Sequence, residues 1–173
     1  RTNLLYVPHQ HLAMDWESIE TGYIAGTPYL GANVKMYADP TPELKGNRGE
    51  FMAWDLVNQK KVWSILEMFP CWSGTVVTAG DVCFYGTMEG WLKAVNAKSG
   101  EVLWKFKTPS GIIGNPMTYV GPDNKQYVAV LSGIGGWSGI GVAADMSLED
   151  PTAGLGAIGA FKDLANFSNQ GGV

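Results

Sequence analysis

Two histidines are the first residues of the chain whose type and spacing could bind a metal ion. His9 and His11 are separated by one residue, so the alternation of side chains along a strand places both on the same face. Two imidazoles alone make an incomplete metal site, because a zinc-type centre needs further ligands close by. A surface or loop position is the better explanation of the pair. The sequence therefore predicts neither metal ligands nor catalytic residues in this chain.

A glycine-rich motif at 139–144 matches the dinucleotide-binding pattern G-x-G-x-x-A as text. That pattern binds a nucleotide only when it joins a strand to a helix within a βαβ unit. No such helix and no later strand are indicated here, and Pro151 interrupts the chain soon afterwards. Nucleotide binding is not predicted. A small acidic group, consisting of Asp15, Glu17 and Glu20, is most simply a solvated face.

The two cysteines could form a disulfide only if the fold brought them into register. Cys71 and Cys83 flank a predicted hairpin that turns near Ala79 and Gly80, which places Cys83 opposite roughly Val76. Cys71 is then several residues out of register, whereas a disulfide requires Cα atoms about 4.4–6.8 Å apart. We predict two buried free thiols.

The composition of the 173 residues favours an all-β protein. Apolar residues make up 46% and charged residues 16%, and 23 Gly and 7 Trp provide tight turns and large packing surfaces. The net charge is −4 and no basic run is present, so nucleic-acid binding has little electrostatic support. No apolar stretch approaches the roughly 20 residues of a membrane helix. The abrupt first and last residues predict that the chain is cut from a longer one.

An internal repeat is the most informative feature of the sequence. Residues 49–63 align with residues 90–104 at a constant offset of 41 residues, so that Gly, Ala and Trp coincide. Each copy reads as a strand, a turn and a returning strand that carries Trp63 or Trp104. A period of about 40–50 residues with one hairpin per unit is typical of propeller blades. We expect Trp63 and Trp104 to be buried in equivalent positions between blades.

Other segments extend this pattern. Residues 82–86 and 126–131 are rich in β-branched and aromatic residues, and a turn at 121–124 precedes the second of them. Helical patterning is scarce. Residues 17–48 contain three prolines and several glycines, which predicts a long excursion between strands.

With these segments in view, the chain resembles the quinoprotein alcohol dehydrogenases. The resemblance rests on the tryptophan-containing hairpins, on residues 80–94 and 103–119, and on Gly-Gly-Trp at 135–137. The tail at 150–161 is similar to that of the methanol dehydrogenase large subunits in particular. The resemblance covers essentially residues 1–173.

This resemblance implies an all-β fold, namely roughly the last three blades of an eight-bladed β-propeller with tryptophan-docking motifs. Residues 1–173 would then be the C-terminal portion of a single propeller domain. In this family the metal ligands and the catalytic aspartate lie in the N-terminal part, so the bound calcium or lanthanide ion would be held outside this chain.

The resemblance also implies cofactor-binding residues. Trp72 and Trp137 match the two family tryptophans that approach pyrroloquinoline quinone (PQQ) near the propeller axis, and Gly136 would let the backbone come close to the cofactor. Indole offers an aromatic face and an N–H donor to a flat, tricarboxylated quinone. From the residues alone, both tryptophans fit blade packing as well, like Trp63 and Trp104.

The function implied is the oxidation of a primary alcohol in the periplasm, with electrons passed to a cytochrome c. The expected partners are the rest of the same propeller, a second copy in a homodimer, the cytochrome and a small alcohol, with no nucleic acid and no membrane span. Two alternatives remain open: a PQQ dehydrogenase for a larger alcohol, and a cofactor-free propeller that acts as an assembly scaffold.

Overall fold

The computed structural model describes residues 2–27, 30–142 and 146–169. Short strands dominate it, as the many turn residues and β-branched runs predict. In chain order they are β1 (Leu4–Gln10), β2 (Leu12–Ser18), β3 (Ala32–Ala38), β4 (Gly49–Asp55), β5 (Lys60–Glu67), β6 (Thr75–Val77), β7 (Val82–Gly86), β8 (Trp91–Asn96), β9 (Val102–Lys107), β10 (Met117–Val120) and β11 (Gln126–Ala129). Two short helices follow, α1 (Gly136–Gly139) and α2 (Ala157–Phe161).

The strands form successive antiparallel sheets. The order β6-β7-β8-β9 makes one complete four-stranded sheet, while β1-β4-β5 makes a three-stranded one and β10-β11 a two-stranded one. Each sheet is antiparallel throughout, and the chain passes from the last strand of one sheet to the first strand of the next. The prediction of an all-β partial propeller is confirmed.

The 41-residue repeat corresponds to two equivalent hairpins, β4–β5 and β8–β9. In the first, Ala53 faces Trp63, and in the second, Ala94 faces Trp104. The register shifts directly after the alanine in both hairpins, so that each copy has a bulge at the same place. The side-chain oxygens of Asp55 and Asn96 each accept hydrogen bonds from the backbone N–H groups two and three residues later. The same polar position thus starts both turns.

The three-stranded and the four-stranded sheets pack against each other through an aromatic core. Phe51 of β4 stacks on Tyr85 of β7 with ring centroids 4.0 Å apart. Trp63 reaches across to the neighbouring turn, where its indole N–H donates to the carbonyl of Ala97 over 3.1 Å. Its ring lies directly against Gly100. The buried side chains of this core are Phe51, Cys71, Cys83, Tyr85, Val95 and Ala97.

The equivalent tryptophan of the second hairpin is not buried, so that prediction is wrong for this chain. Trp104 is 49% exposed and stacks only on Phe106, whose ring is also exposed. Both lie on the face of the four-stranded sheet that points away from the three-stranded sheet, beside an apolar groove lined by Phe84 and Leu92. The reason is that the neighbouring sheet has two strands, and Val128 is the one residue of it that lines this groove.

Both cysteines are buried free thiols, as predicted. Cys83 faces Val77, one residue away from the expected Val76, because the β6–β7 turn lies between residues 78 and 81. Burial raises the pKa of Cys83 to about 11, and burial also raises the pKa of Cys71. At neutral pH both side chains therefore act as small apolar groups.

The segment 17–48 contains the end of β2 and all of β3, which pair with each other in a separate two-stranded sheet. The carbonyl of Met36 in β3 lies close to Gly159 of α2, and Val34 of the same strand packs near Gly156. The acidic side chains Asp15, Glu17 and Glu20 are exposed, as expected. None of the helices in the described residues is long and apolar enough to cross a membrane.

The buried carboxylate of Glu50 links β4 to side chains of the segments on either side of it. Glu50 accepts hydrogen bonds from Lys61 at 2.6 Å and contacts His11 Nε2 at 2.8 Å. The ring of His9 lies 4.5 Å from that of His11, so the two histidines do share a face. Burial raises the pKa of Glu50, but the hydrogen bonds from Lys61, Ser64 and His11 outweigh it and lower the pKa to about 2.

The contact between Trp63 and Gly100 predicts that Gly100→Ala is destabilising. Gly100 has φ +76°, and a Cβ atom there would lie 2.7 Å from the indole ring of Trp63. We expect a loss of about 2 kcal/mol in the free energy of unfolding, from backbone strain and the clash together. The matched control is Gly80→Ala, where a Cβ would meet nothing closer than 3.8 Å. Equal losses in chemical denaturation of the two variants would contradict the docking contact.

The Glu50 cluster predicts a pH dependence of stability. A carboxyl group whose pKa is lower in the folded than in the unfolded state stabilises the fold above its unfolded pKa. For Glu50 the stabilisation is complete above about 4.5 and is lost as the pH falls toward 2. Glu50→Gln should lower the melting temperature at neutral pH and flatten its decline in that acid range. The exposed Glu43→Gln should leave the pH profile unchanged, and a similar profile for both variants would refute this assignment.

Candidate functional site

Trp72 lies on the segment 68–74, which passes from β5 to β6 at one end of the sheets. Its neighbours determine its place. The hydroxyl of Ser73 donates to the carbonyl of Gly114 and accepts from the N–H of Gly86. Gly74 lies against the side chain of Asn115, with no room for a Cβ atom. The backbone on the C-terminal side of Trp72 is therefore anchored to the next sheet connection.

Trp137 belongs to α1, the short helix that follows the last strand. Gly136 begins this helix with φ +62°, a left-handed conformation that favours glycine. The indole N–H of Trp137 donates to the carbonyls of Gly154 and Leu155, at 3.0 and 3.2 Å. These two bonds fix the ring against the loop that precedes α2.

The structure brings Trp72 and Trp137 together, although they are far apart in sequence. Their ring centroids lie 5.9 Å apart with an interplanar angle of 32°. Phe161 of α2 packs edge-on against both rings, at 5.5 Å from Trp72 and 5.4 Å from Trp137. We call these three side chains the aromatic cluster. They cover a core of fully buried residues that includes Phe69 and Met88.

The aromatic cluster has the properties required to bind a flat aromatic ligand. Both indoles are only partly buried, and the space above Gly135 and Gly136 is open, with no atom within 4 Å of a Cβ position on either residue. No described residue accepts a hydrogen bond from the N–H of Trp72, so this donor is available. The N–H of Trp137 is already engaged by two carbonyls. The N–H donor that an indole can offer to a quinone is thus available in Trp72 and engaged in Trp137.

Beneath the aromatic cluster lies Arg48, an arginine that no sequence pattern indicated. Arg48 is buried, and its guanidinium pairs with both carboxylate oxygens of Asp163, at 2.8 and 2.7 Å. It also donates to the carbonyls of Ala160 and Met68, and its Cζ lies 4.1 Å from the centre of the Phe69 ring. No spacing rule points to this pair, because its members are 115 residues apart.

Neither rival site of the sequence is supported by the described residues. No group of three or more His, Cys, Asp or Glu side chains in this part of the chain could hold a metal ion. In the glycine-rich motif, Gly139 lies in α1 and residues 140–142 form a 3-10 turn, with no βαβ unit around them. Residues 143 and 144 of the motif lie outside the described residues.

Comparison with known proteins points to one family. The model of the glucose/ethanol/alcohol dehydrogenase β-propeller domain, which carries the label PQQ, matches residues 57–128. A lanthanide-dependent methanol dehydrogenase of Methylorubrum extorquens is 54% identical over 99% of the chain. Methanol dehydrogenase [cytochrome c] subunit 1 of Methylobacterium organophilum is 46% identical over the same share. The chain belongs to the PQQ-dependent quinoprotein alcohol dehydrogenase family.

A solved structure agrees with this assignment. The europium-containing methanol dehydrogenase superposes with a TM-score of 0.90 and 52% identity, over 98% of this chain and 30% of that one. The family resemblance deduced from the hairpins and the 150–161 tail is thereby confirmed. The chain spans about 28% of the length of the quinoprotein relatives named above, or slightly less.

The N–H of Trp137 has acceptors among the described residues and that of Trp72 has none, so replacing the two indoles should destabilise the fold to different extents. Trp137→Phe removes the indole donor from the carbonyls of Gly154 and Leu155, of which that of Gly154 still accepts from the N–H of Ala157, whereas Trp72→Phe breaks no hydrogen bond among the described residues. We expect Trp137→Phe to lower the free energy of unfolding by about 1 kcal/mol more than Trp72→Phe. Denaturant titration of the two variants measures this difference. A larger loss for Trp72→Phe would show that its N–H has a structural acceptor.

Proposed function

We propose that this chain is part of a longer quinoprotein that oxidises a primary alcohol, methanol in the first instance, with PQQ as cofactor. The observation that carries the proposal is the pairing of Trp72 and Trp137 at one open end of a propeller sheet. The names of the relatives support the reaction class, since the three named above are methanol dehydrogenases.

In this proposal the aromatic cluster forms one wall of the PQQ pocket. Trp72 supplies a ring face and the available N–H, which suits a carbonyl or carboxylate oxygen at the rim of a planar quinone. Trp137 supplies apolar area, with its orientation set by the carbonyls of Gly154 and Leu155. Gly136 lets the cofactor approach the backbone. When bound, PQQ supplies the hydride acceptor, while these residues orient it and exclude water from its face.

The catalytic base and the metal ion belong, in this proposal, to residues outside the chain. The relatives include lanthanide-dependent and europium-containing enzymes, which favours a lanthanide over calcium for the ion. The ion would act as a Lewis acid on the cofactor.

The partners follow from the surfaces of the partial propeller. The exposed face around Trp104 and Phe106 requires a cover, and we propose that the remainder of the same propeller provides it. The name of one relative, methanol dehydrogenase [cytochrome c] subunit 1, supports a cytochrome c as electron acceptor. A periplasmic location and a homodimer complete the proposal.

Two other functions are less well supported. A dehydrogenase for a larger alcohol has a relative in the quinoprotein ethanol dehydrogenase of Pseudomonas aeruginosa, at 40% identity, which is lower than the 54% for methanol dehydrogenase. A cofactor-free scaffold would not need a partly buried tryptophan pair beside an open glycine backbone. The pair therefore favours a cofactor-binding protein.

Replacement of the tryptophans tests the proposal. In the full polypeptide, Trp72→Ala and Trp137→Ala should each weaken PQQ binding by on the order of 1–3 kcal/mol, because packing area and, for Trp72, a hydrogen bond are lost. Trp104→Ala is the matched control and should lower the melting temperature with PQQ affinity largely intact. PQQ occupancy is read from the absorption spectrum of the purified protein and from PQQ titration of the apoprotein.

The opposite pattern would overturn the division between pocket and scaffold. If Trp104→Ala loses PQQ at an unchanged melting temperature while Trp137→Ala retains it, the aromatic cluster is not the cofactor wall. A purified full polypeptide with no quinone band and no response to added PQQ would favour the scaffold.

A further inference from the structure

We propose that Arg48 is a positioning residue, which sets the geometry of Trp72 and Trp137 by clamping Phe161 between them. This inference deepens the proposed function and rests on it, because the pair matters for activity only if it contacts the quinone. Arg48 itself is buried beneath the cluster and touches neither indole in the contacts described above.

Arg48 forms hydrogen bonds to the chain on both sides of Phe161. The guanidinium of Arg48 donates to the carbonyl of Ala160, the residue before Phe161, and forms two parallel bonds to Asp163, two residues after it. α2 has only five residues, too short to be rigid by its own hydrogen bonds. The position of Phe161 therefore depends on contacts outside the helix. Arg48 provides side-chain hydrogen bonds on both sides of Phe161, in addition to the backbone hydrogen bonds from Ile158 and Gly159 to the carbonyls of Ala153 and Pro151.

The other side of the clamp is attached to the segment that carries Trp72. Arg48 Nε donates to the carbonyl of Met68 at 3.0 Å, and the guanidinium plane lies over Phe69. Both residues belong to the segment 68–74 between β5 and β6, which includes Trp72 and which we call the crossing segment. One side chain thus ties this segment to the tail, and Phe161 sits at the point where the two meet.

The geometry requires arginine in particular. The planar guanidinium makes the paired contact with Asp163 and at the same time reaches two carbonyls in other directions, whereas a lysine ammonium has no such fixed fork. Arg48→Lys retains the charge but loses the paired geometry. Phe161 is fully buried and lies edge-on to both indoles, so a shift of α2 changes their separation and angle.

The two indoles provide a direct readout of this geometry. At a centroid separation of 5.9 Å their transitions couple and give an exciton couplet in circular dichroism. The couplet from this pair is identified as the signal that Trp72→Phe removes. In the full polypeptide without cofactor, we expect Arg48→Lys and Asp163→Asn to lose most of it, and to weaken PQQ binding in titration by about tenfold, as for a slightly misplaced binding group. Asp163→Glu, which keeps the carboxylate, should restore part of both signals.

The ion pair of a buried glutamate is the control for a purely structural effect. Glu67 is buried and bound to Lys93 and Tyr85 within the sheets. Glu67→Gln should lower the melting temperature at least as much as Arg48→Lys, with couplet and PQQ affinity retained. If Arg48→Lys lowers the melting temperature but leaves the couplet intact, the positioning role is refuted. If the couplet is lost while PQQ affinity is unchanged in both Arg48→Lys and Trp72→Phe, the clamp stands and the proposed PQQ pocket is refuted.

Discussion

The interface between the three-stranded sheet and the four-stranded sheet is the constraint on which the rest of the structure depends. Phe51 stacks on Tyr85 at 4.0 Å, and the indole of Trp63 packs on the β8–β9 turn of the neighbouring sheet, where it donates to the carbonyl of Ala97. A sheet with two apolar faces cannot be stable in water on its own, so each sheet requires a neighbour on both sides. Glycine at position 100 is required because the indole ring occupies the place of a side chain. The spacing of these two sheets, and hence the position of the segment 68–74 that joins them, follows from this contact.

The two copies of the repeat show what such a motif does and does not specify. Both place alanine opposite tryptophan, both carry the bulge, and both begin their turns with the same kind of hydrogen bond. Trp63 nevertheless docks on Ala97, while Trp104 remains half exposed beside Phe106. The motif therefore specifies a hairpin that presents a tryptophan. Burial is supplied by the neighbouring sheet, and the sheet next to Trp104 has two strands within the described part of the chain.

The strands, the repeat and the free thiols could be predicted because each depends on local periodicity or on a register counted along the chain. The family resemblance also identified Trp72 and Trp137. What could not be predicted are the contacts between segments remote in sequence. Arg48 and Asp163 follow no pattern, and their pairing arises only when the tail folds back over the crossing segment. The engaged N–H of Trp137 is of the same kind, since its acceptors are backbone carbonyls whose orientation no residue type reveals.

The crossing segment explains how the candidate site gains its rigidity from the sheets. Along residues 69–72 the side chains alternate between two cores: Phe69 packs under the aromatic cluster, Cys71 enters the interface between the sheets, and Trp72 returns to the cluster. Gly49 is packed so closely against the carbonyl of Phe69 that no Cβ atom would fit. Trp72 lies between the closely packed Phe69 and Cys71 on one side and the anchored Ser73 and Gly74 on the other, so it has little freedom to move. The partly buried Trp72 is therefore held by a well-packed connection between two strands. Such support suits one wall of a binding pocket, because the wall must keep its shape when no planar ligand is bound.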